Sequence, residues 1–205
     1  MLTLVIQAGG ESHRMGADKA LLPFLGQPLI MRPISRLAQL ADELLVTSNQ
    51  PESFRFLGLT PIPDLLPGLG ALGGLYTALR VARYPYVAVV ACDMPFANLA
   101  IFALELALLQ ETGSDAVIPR SEAGTEPFHA IYRSETCLAH VQAALEAGKR
   151  RVDAWFSQVT IRYLEPVEYE PYDPDRLAFL NINTPEELKE AEKIASEKNA
   201  LDNLE

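Results

Sequence analysis

The chain has 205 residues, a formal net charge of −10 and an apolar fraction of 49%. That is enough to bury a sizeable core, which excludes disorder as the default. The acidity argues against a broad nucleic-acid-binding surface, and no apolar run approaches the roughly 20 uninterrupted residues of a membrane span.

Leu2, Leu4, Val5 and Ile6 form a short apolar run that stops at Ala8-Gly9-Gly10; Ser12, Arg14, Gly16 and Lys19 follow closely. The pattern predicts a buried strand entering a glycine turn. Backbone amides in such a turn can face an anion, glycine admits a phosphate, and Arg14 and Lys19 supply positive charge. The bland alternative is an ordinary tight turn followed by a solvated charged loop. Nothing ahead of the strand reads as a basic leader or cleavage site, so secretion is not expected.

After a turn through Ala20–Leu29, a helix is predicted from Pro28 to about Leu40, with Leu29, Ile30, Pro33, Ile34, Leu37 and Leu40 facing inward. Glu43–Ser48 reads as the second strand, Pro51–Leu57 as a small helix, and Leu59–Pro63 as a proline-weakened strand ending in Asp64. Glycines and alanines dominate Gly68–Gly74, which predicts a loop feeding a helix over about 71–82. This stretch serves either close helix packing or a flat ligand. Tyr86–Cys92 is apolar throughout, as a central parallel strand is, and runs into Asp93. An acid there sits where open α/β sheets place ligands, or it caps the next helix, Asn98 to about Glu111. Cys92 and Cys137 are far apart and outside any CxxC, so neither a disulfide framework nor a zinc site is expected, and a reducing cytoplasm is the simplest home.

Asp115–Pro119 and Phe128–Arg133 read as strands around a polar loop, and Ser134–Ala147 as a helix closed by Gly148. Lys149-Arg150-Arg151 then gives the densest basic cluster, either a favourable helix-end charge or contact with an anionic ligand. A helical turn over Val152–Phe156, a strand over Val159–Leu164, a surface loop over Glu165–Arg176 and a last strand over Ala178–Ile182 follow. Thr184, Pro185 and Glu187 spell a capping box opening a helix to about Lys198, with a frayed tail over about 197–205.

Strands alternating with helices predict one three-layer α/β domain over 1–205 with a mostly parallel sheet. There is no GxxxxGK[ST], no GxGxxG after the first strand and no GxSxG, and His13, His129 and His140 form no metal triad. What remains is a glycine turn with Arg14 and Lys19, plus Asp64 and Asp93 at strand ends. Cations for a triphosphate and a carboxylate for a hard divalent ion suffice for phosphoryl-type transfer without a protein nucleophile.

The residues Gln7-Ala8-Gly9-Gly10, Arg14-Met15-Gly16, Asp18-Lys19 and Ala20-Leu21-Leu22-Pro23-Phe24, then Gly26 and Pro28, resemble the N-terminal signature of the molybdenum cofactor guanylyltransferases. The resemblance continues through Asp64, Gly70–Gly74, Cys92-Asp93-Met94-Pro95, Glu126-Pro127 with His129, Gly148 with Arg150-Arg151, and Asn181–Glu186. It implies a Rossmann-like nucleotidyltransferase fold and an enzyme that takes GTP, a molybdopterin-type cofactor and Mg²⁺ and releases pyrophosphate. It further implies nucleotide contacts from Gln7, Ala8, Gly9, Gly10, Lys19, Thr47, Asn49, Asp64 and Asp93. Lys19, Asp93 and Arg14 would be catalytic, with Asp93 as the metal ligand. Gly73, Gly74, Arg150, Arg151, Asn181 and Asn183 are its candidates for the molybdopterin side, and cofactor-delivery or acceptor enzymes its candidate partners. Gln7 stands where leucine is usual, and Thr47 where some members carry asparagine. The competing expectations are a relative that uses CTP or a sugar-phosphate acceptor, and a non-catalytic GTP-binding paralogue.

Overall fold

The computed structural model of the chain describes residues 1–9 and 18–202. Its first strand, β1 (Leu2–Gln7), is the axis of the sheet. Leu2, Leu4 and Ile6 enter one core cluster and Val5 the other, so both faces of the strand are covered. Thr3 is also buried, and its hydroxyl donates to Glu43 Oε2 at 2.6 Å.

Beyond the first turn, β2 (Pro23–Phe24) and β3 (Gln27–Pro28) make a tight hairpin. The helix expected from Pro28 starts later. Pro28 belongs to the hairpin, α1 spans Met31–Leu37, and a 3₁₀ turn covers Ala38–Leu40. Strand β4 (Glu43–Thr47) follows, then a 3₁₀ stretch over Pro51–Leu57. The strand expected at Leu59–Pro63 is not formed: prolines 61 and 63 remove ladder donors, and only a Thr47–Ile62 bridge survives.

Helix α2 (Gly70–Val81) leads into β5 (Tyr86–Ala91), α3 (Leu99–Thr112), β6 (Ala116–Ser121), β7 (Gly124–Thr125), β8 (His129–Arg133) and α4 (Ser134–Glu146). Gly148 follows α4 at φ +75°, the left-handed conformation expected of a residue that ends a helix. The chain closes with β9 (Ile161–Leu164), α5 (Pro166–Tyr169) and α6 (Pro185–Asp202).

The sheet runs β4-β1-β5-β8-β6-β7, with β9 paired to β6. Pairs β1–β4, β1–β5 and β6–β9 are parallel, whereas β8 runs antiparallel to both β5 and β6. One face carries Leu37 of α1 and Phe102 and Leu109 of α3. The other carries Leu72 and Leu75 of α2 with Cys137 and Val141 of α4, which completes three layers.

Three further expectations change. Ala178–Ile182 is coil and turn rather than strand, yet its Ile182 N–H donates to the Asp93 carbonyl at 3.0 Å. Glu165–Arg176 is not a plain surface loop: it folds into α5 and a 3₁₀ turn and buries Tyr169 and Asp173. Helix α6 continues through Asp202, past the expected onset of fraying. No helix among the described residues is long and apolar enough to cross a membrane.

Candidate active site

The parallel register sets Gln7 beside Thr47 on one flank and Ala91 on the other. The next residues of the three strands, Ala8-Gly9, Ser48-Asn49 and Cys92-Asp93, therefore leave the sheet at one edge. Chain connections diverge there: β1 leads to β4 on one side, and β4 crosses over to β5 on the other. Open α/β sheets bind ligands in such a crevice. Adjacent strands are about 4.8 Å apart, so the β4 and β5 ends stand roughly 10 Å from each other.

Two polar clusters occupy the edge. In the first, the Lys19 ammonium donates to Asp93 Oδ2 at 3.1 Å and to Asn183 Oδ1 at 2.8 Å. The Lys19 and Asp93 side chains are each 18% exposed, enough shielding to strengthen the pair while leaving a face open. Each member is held from its own direction. Asp18 Oδ1 accepts from the Ala20 N–H at 3.0 Å and fixes the short turn that carries Lys19. Asp93 is tied through its carbonyl to Ile182. Asn183 precedes α6, whose capping box is formed as expected: Glu187 Oε2 accepts from Asn183 and Thr184, and Thr184 Oγ1 accepts from the Glu187 N–H. Asp93 itself caps no helix, because Asn98 fills that role for α3.

In the second cluster Asn49 Nδ2 donates to Asp64 Oδ2 at 3.0 Å. Gly9 lies beside both: a Cβ built there would stand 3.7 Å from the Asp64 carboxylate and 3.9 Å from the Asn49 amide. Thr47 is different. It is buried at 1% exposure, and its carbonyl accepts from the Ala8 N–H, so Asn49 is the residue offered at this strand end.

Gly73 and Gly74 have a packing explanation. A Cβ on Gly73 would meet Leu69 Cβ at 2.9 Å and the Leu66 carbonyl at 3.2 Å. A Cβ on Gly74 would meet Gln7 Oε1 at 3.2 Å, so the Gln7 side chain occupies room that this glycine leaves. The buried Gln7 Nε2 has no hydrogen-bond partner among the described residues. Arg150 donates to the Lys149 carbonyl, and Arg151 pairs with Asp153 at 2.7 Å on the surface. Neither bonds to the Lys19 cluster among the described residues. Asn181 donates to the Phe179 carbonyl at 3.1 Å, two residues before the Asn183 that joins the cluster. Gly10 and Arg14 lie outside the described residues.

Cys92, next to Asp93, is no candidate nucleophile. Burial first, and the Asp93 charge second, push its thiol well above the ordinary range, so it stays protonated. Among the described residues no three His, Cys, Asp or Glu gather as a ready-made metal cage. One aspartate with an amide oxygen nearby is nevertheless the hard, oxygen-only donor set that suits Mg²⁺, which keeps several waters and takes its remaining ligands from substrate phosphates.

Residues 4–161 match the MobA-like NTP transferase domain family. The chain belongs to that family. A probable molybdenum cofactor guanylyltransferase from Pelotomaculum thermopropionicum is 35% identical over 94% of this chain and 93% of its own length. One from Peptoclostridium acidaminophilum is 33% identical over 94% of this chain and 89% of its own. The crystal structure of molybdopterin-guanine dinucleotide biosynthesis protein A from Archaeoglobus fulgidus superposes with a TM-score of 0.83 at 25% identity, covering 95% of this chain and 99% of that one. The fold is that of a nucleotidyltransferase.

Proposed function

We propose that this chain, acting as one nucleotidyltransferase domain, transfers GMP from GTP to the phosphate of a molybdopterin-type cofactor. The acceptor phosphate oxygen attacks the α-phosphorus, the bond to the β-phosphate oxygen breaks, and pyrophosphate leaves. The observation that carries this reading is the meeting of Lys19, Asp93 and Asn183, drawn from three distant parts of the chain to the carboxyl edge of β1 and β5.

Lys19 serves as the phosphate cation and Asp93 as the metal carboxylate. Mg²⁺, when bound, would neutralise phosphate charge and help to fix the in-line geometry. The Ala8–Gly9 backbone with Asn49 and Asp64 forms the nucleoside side, and Gln7 contributes its main chain. Gly10 and Arg14 are assigned to the phosphates by resemblance. Arg150, Arg151 and Asn181 are kept as acceptor-side residues, whereas the close packing of Gly73 and Gly74 gives them a structural role under the site. With no covalent intermediate required, the reaction depends on positioning and charge stabilisation. Two buried, unpaired cysteines suit a cytoplasmic location, and the product is of the kind handed on to a delivery or acceptor enzyme.

A nucleotide panel with Mg²⁺ and molybdopterin, assayed for pyrophosphate, tests the reading. GTP should support turnover. Turnover with CTP and none with GTP would sink it, and GTP binding without turnover on any nucleotide would make the chain a carrier.

A further inference from the structure

The segment that carries Asp93 joins β5 to α3 and is anchored at both ends. At the near end the Cys92 N–H donates to the Gln7 carbonyl at 3.0 Å. At the far end Asn98 caps α3, its side-chain oxygen accepting from Ala100 and Ile101. The backbone N–H of a capping residue is commonly satisfied by a Glu or Gln three positions on. That position is Ile101, which cannot accept. His129, at the start of β8, takes the role instead: its Nε2 stands 3.2 Å from the Asn98 nitrogen.

For Nε2 to accept, the imidazole must be neutral with its proton on Nδ1. Nδ1 lies 3.0 Å from Glu105 Oε1 on α3, and both residues are completely buried. The ring is stacked on Phe102 at 4.0 Å and met edge-on by Phe179 at 5.0 Å. This apolar enclosure keeps the imidazole uncharged, its pKa lowered to about 3, and holds the Glu105 carboxyl well above its ordinary value, burial being the leading cause for both. Among the described residues Glu105 Oε2 has no hydrogen-bond partner. A leucine in its place would avoid that desolvation cost, so packing alone does not explain a glutamate here.

We propose that Glu105 and His129 are positioning residues for the transfer reaction. Glu105 fixes the imidazole tautomer, and the imidazole fixes the Asn98 end of the segment that aims the Asp93 carboxylate. The inference rests on the reading of Asp93 as the metal carboxylate.

The full-length chain tests it through three readouts: Mn²⁺ affinity in the presence of GTP by electron paramagnetic resonance, hydrogen–deuterium exchange over residues 93–98, and steady-state kinetics. His129→Phe keeps an aromatic ring but removes the acceptor. It should weaken Mn²⁺ binding about fivefold or more, lower kcat about tenfold and raise exchange in the segment, with KM for GTP within about twofold. His129→Gln, which can return an acceptor near the Nε2 position, should recover most of each loss. Glu105→Leu should behave as His129→Phe, and Glu105→Gln, which keeps an acceptor for Nδ1, should recover likewise. A folded His129→Phe with the Mn²⁺ affinity and kcat of the parent overturns the proposal, and so does equal impairment in His129→Phe and His129→Gln. If His129→Phe does not fold, the Glu105→Leu and Glu105→Gln pair decides by the same criteria. Asp93→Asn is measured alongside. Unchanged Mn²⁺ affinity there removes Asp93 from the metal role, whereas loss there with none in His129→Phe removes only the positioning role.

Discussion

Lys19 is a cation held by oxygens on two sides, from Asp93 and from Asn183. Its place in a short turn, fixed by Asp18, makes the ammonium a preorganised contact rather than a long side chain searching for a phosphate. Lys19→Ala should weaken GTP binding about tenfold to a hundredfold, the scale of one lost charge-assisted hydrogen bond, and should slow turnover as well. Calorimetric titration with GTP checks it, and unchanged affinity would reduce Lys19 to a surface charge. On the nucleoside side, Asp64→Ala should raise KM for GTP with less effect on kcat, because the Asn49–Asp64 pair stands apart from Lys19 and Asp93. Asp64 and Asn49 were legible as polar residues at strand ends. The burial of Thr47 was not, because alternation along Glu43–Ser48 does not say whether its last side chain meets helix or solvent.

At the scale of elements, the glycine pair in α2 shows how packing and ligand arguments separate. Gly73→Ala drives a Cβ into another Cβ and a carbonyl, neither of which can swing aside, so it should destabilise the fold by about 1–3 kcal/mol. Gly74→Ala meets only the end of the Gln7 side chain, and helix propensity favours alanine by up to about 1 kcal/mol, so it should be nearly neutral. Chemical denaturation of the two variants would contradict this packing account if their costs were equal. Sequence periodicity located β1, β4, β5, β8, α3, α4 and α6 because each buries a regular apolar pattern or carries a capping signal. It failed at Leu59–Pro63, where two prolines leave a bridge in place of a strand. It failed again at Ala178–Ile182, where Leu180 and Ile182 join Phe24 and Phe96 against α6 while Ala178 and Phe179 pack into the core beneath the sheet, none of them in a strand. Glu105 is the single acid inside the apolar run Leu99–Leu109, and only the fold shows that it faces His129.

For the molecule as a whole, the buried Glu105–His129 pair couples stability to pH in two opposing ways. In the unfolded chain the histidine titrates near 6.5, and in the folded one near 3, so stability falls as pH drops below about 6.5. Glu105 carries the opposite sign. Its folded value lies well above 4.5, so between the two the folded state holds the extra proton, and stability is lost as pH rises through that range. Glu105→Gln removes this second effect. Its stability relative to the parent should therefore grow with pH above 4.5, by up to about 1.4 kcal/mol per unit, and then level off. Urea unfolding at a series of pH values checks the slope, and a difference independent of pH would contradict it. The topology explains why the molecule tolerates such a pair: α3 and β8 sandwich it beneath the segment that delivers Asp93 to the sheet edge.

The proposed transfer site depends most directly on Asp93. Pyrophosphate release with GTP, Mg²⁺ and molybdopterin, measured side by side for the parent chain and Asp93→Ala, is the decisive comparison. The parent should turn over steadily, and the variant should lose about a hundredfold or more while remaining folded. Near-parental release by Asp93→Ala would contradict the assignment of the transfer site to the carboxyl edge of β5.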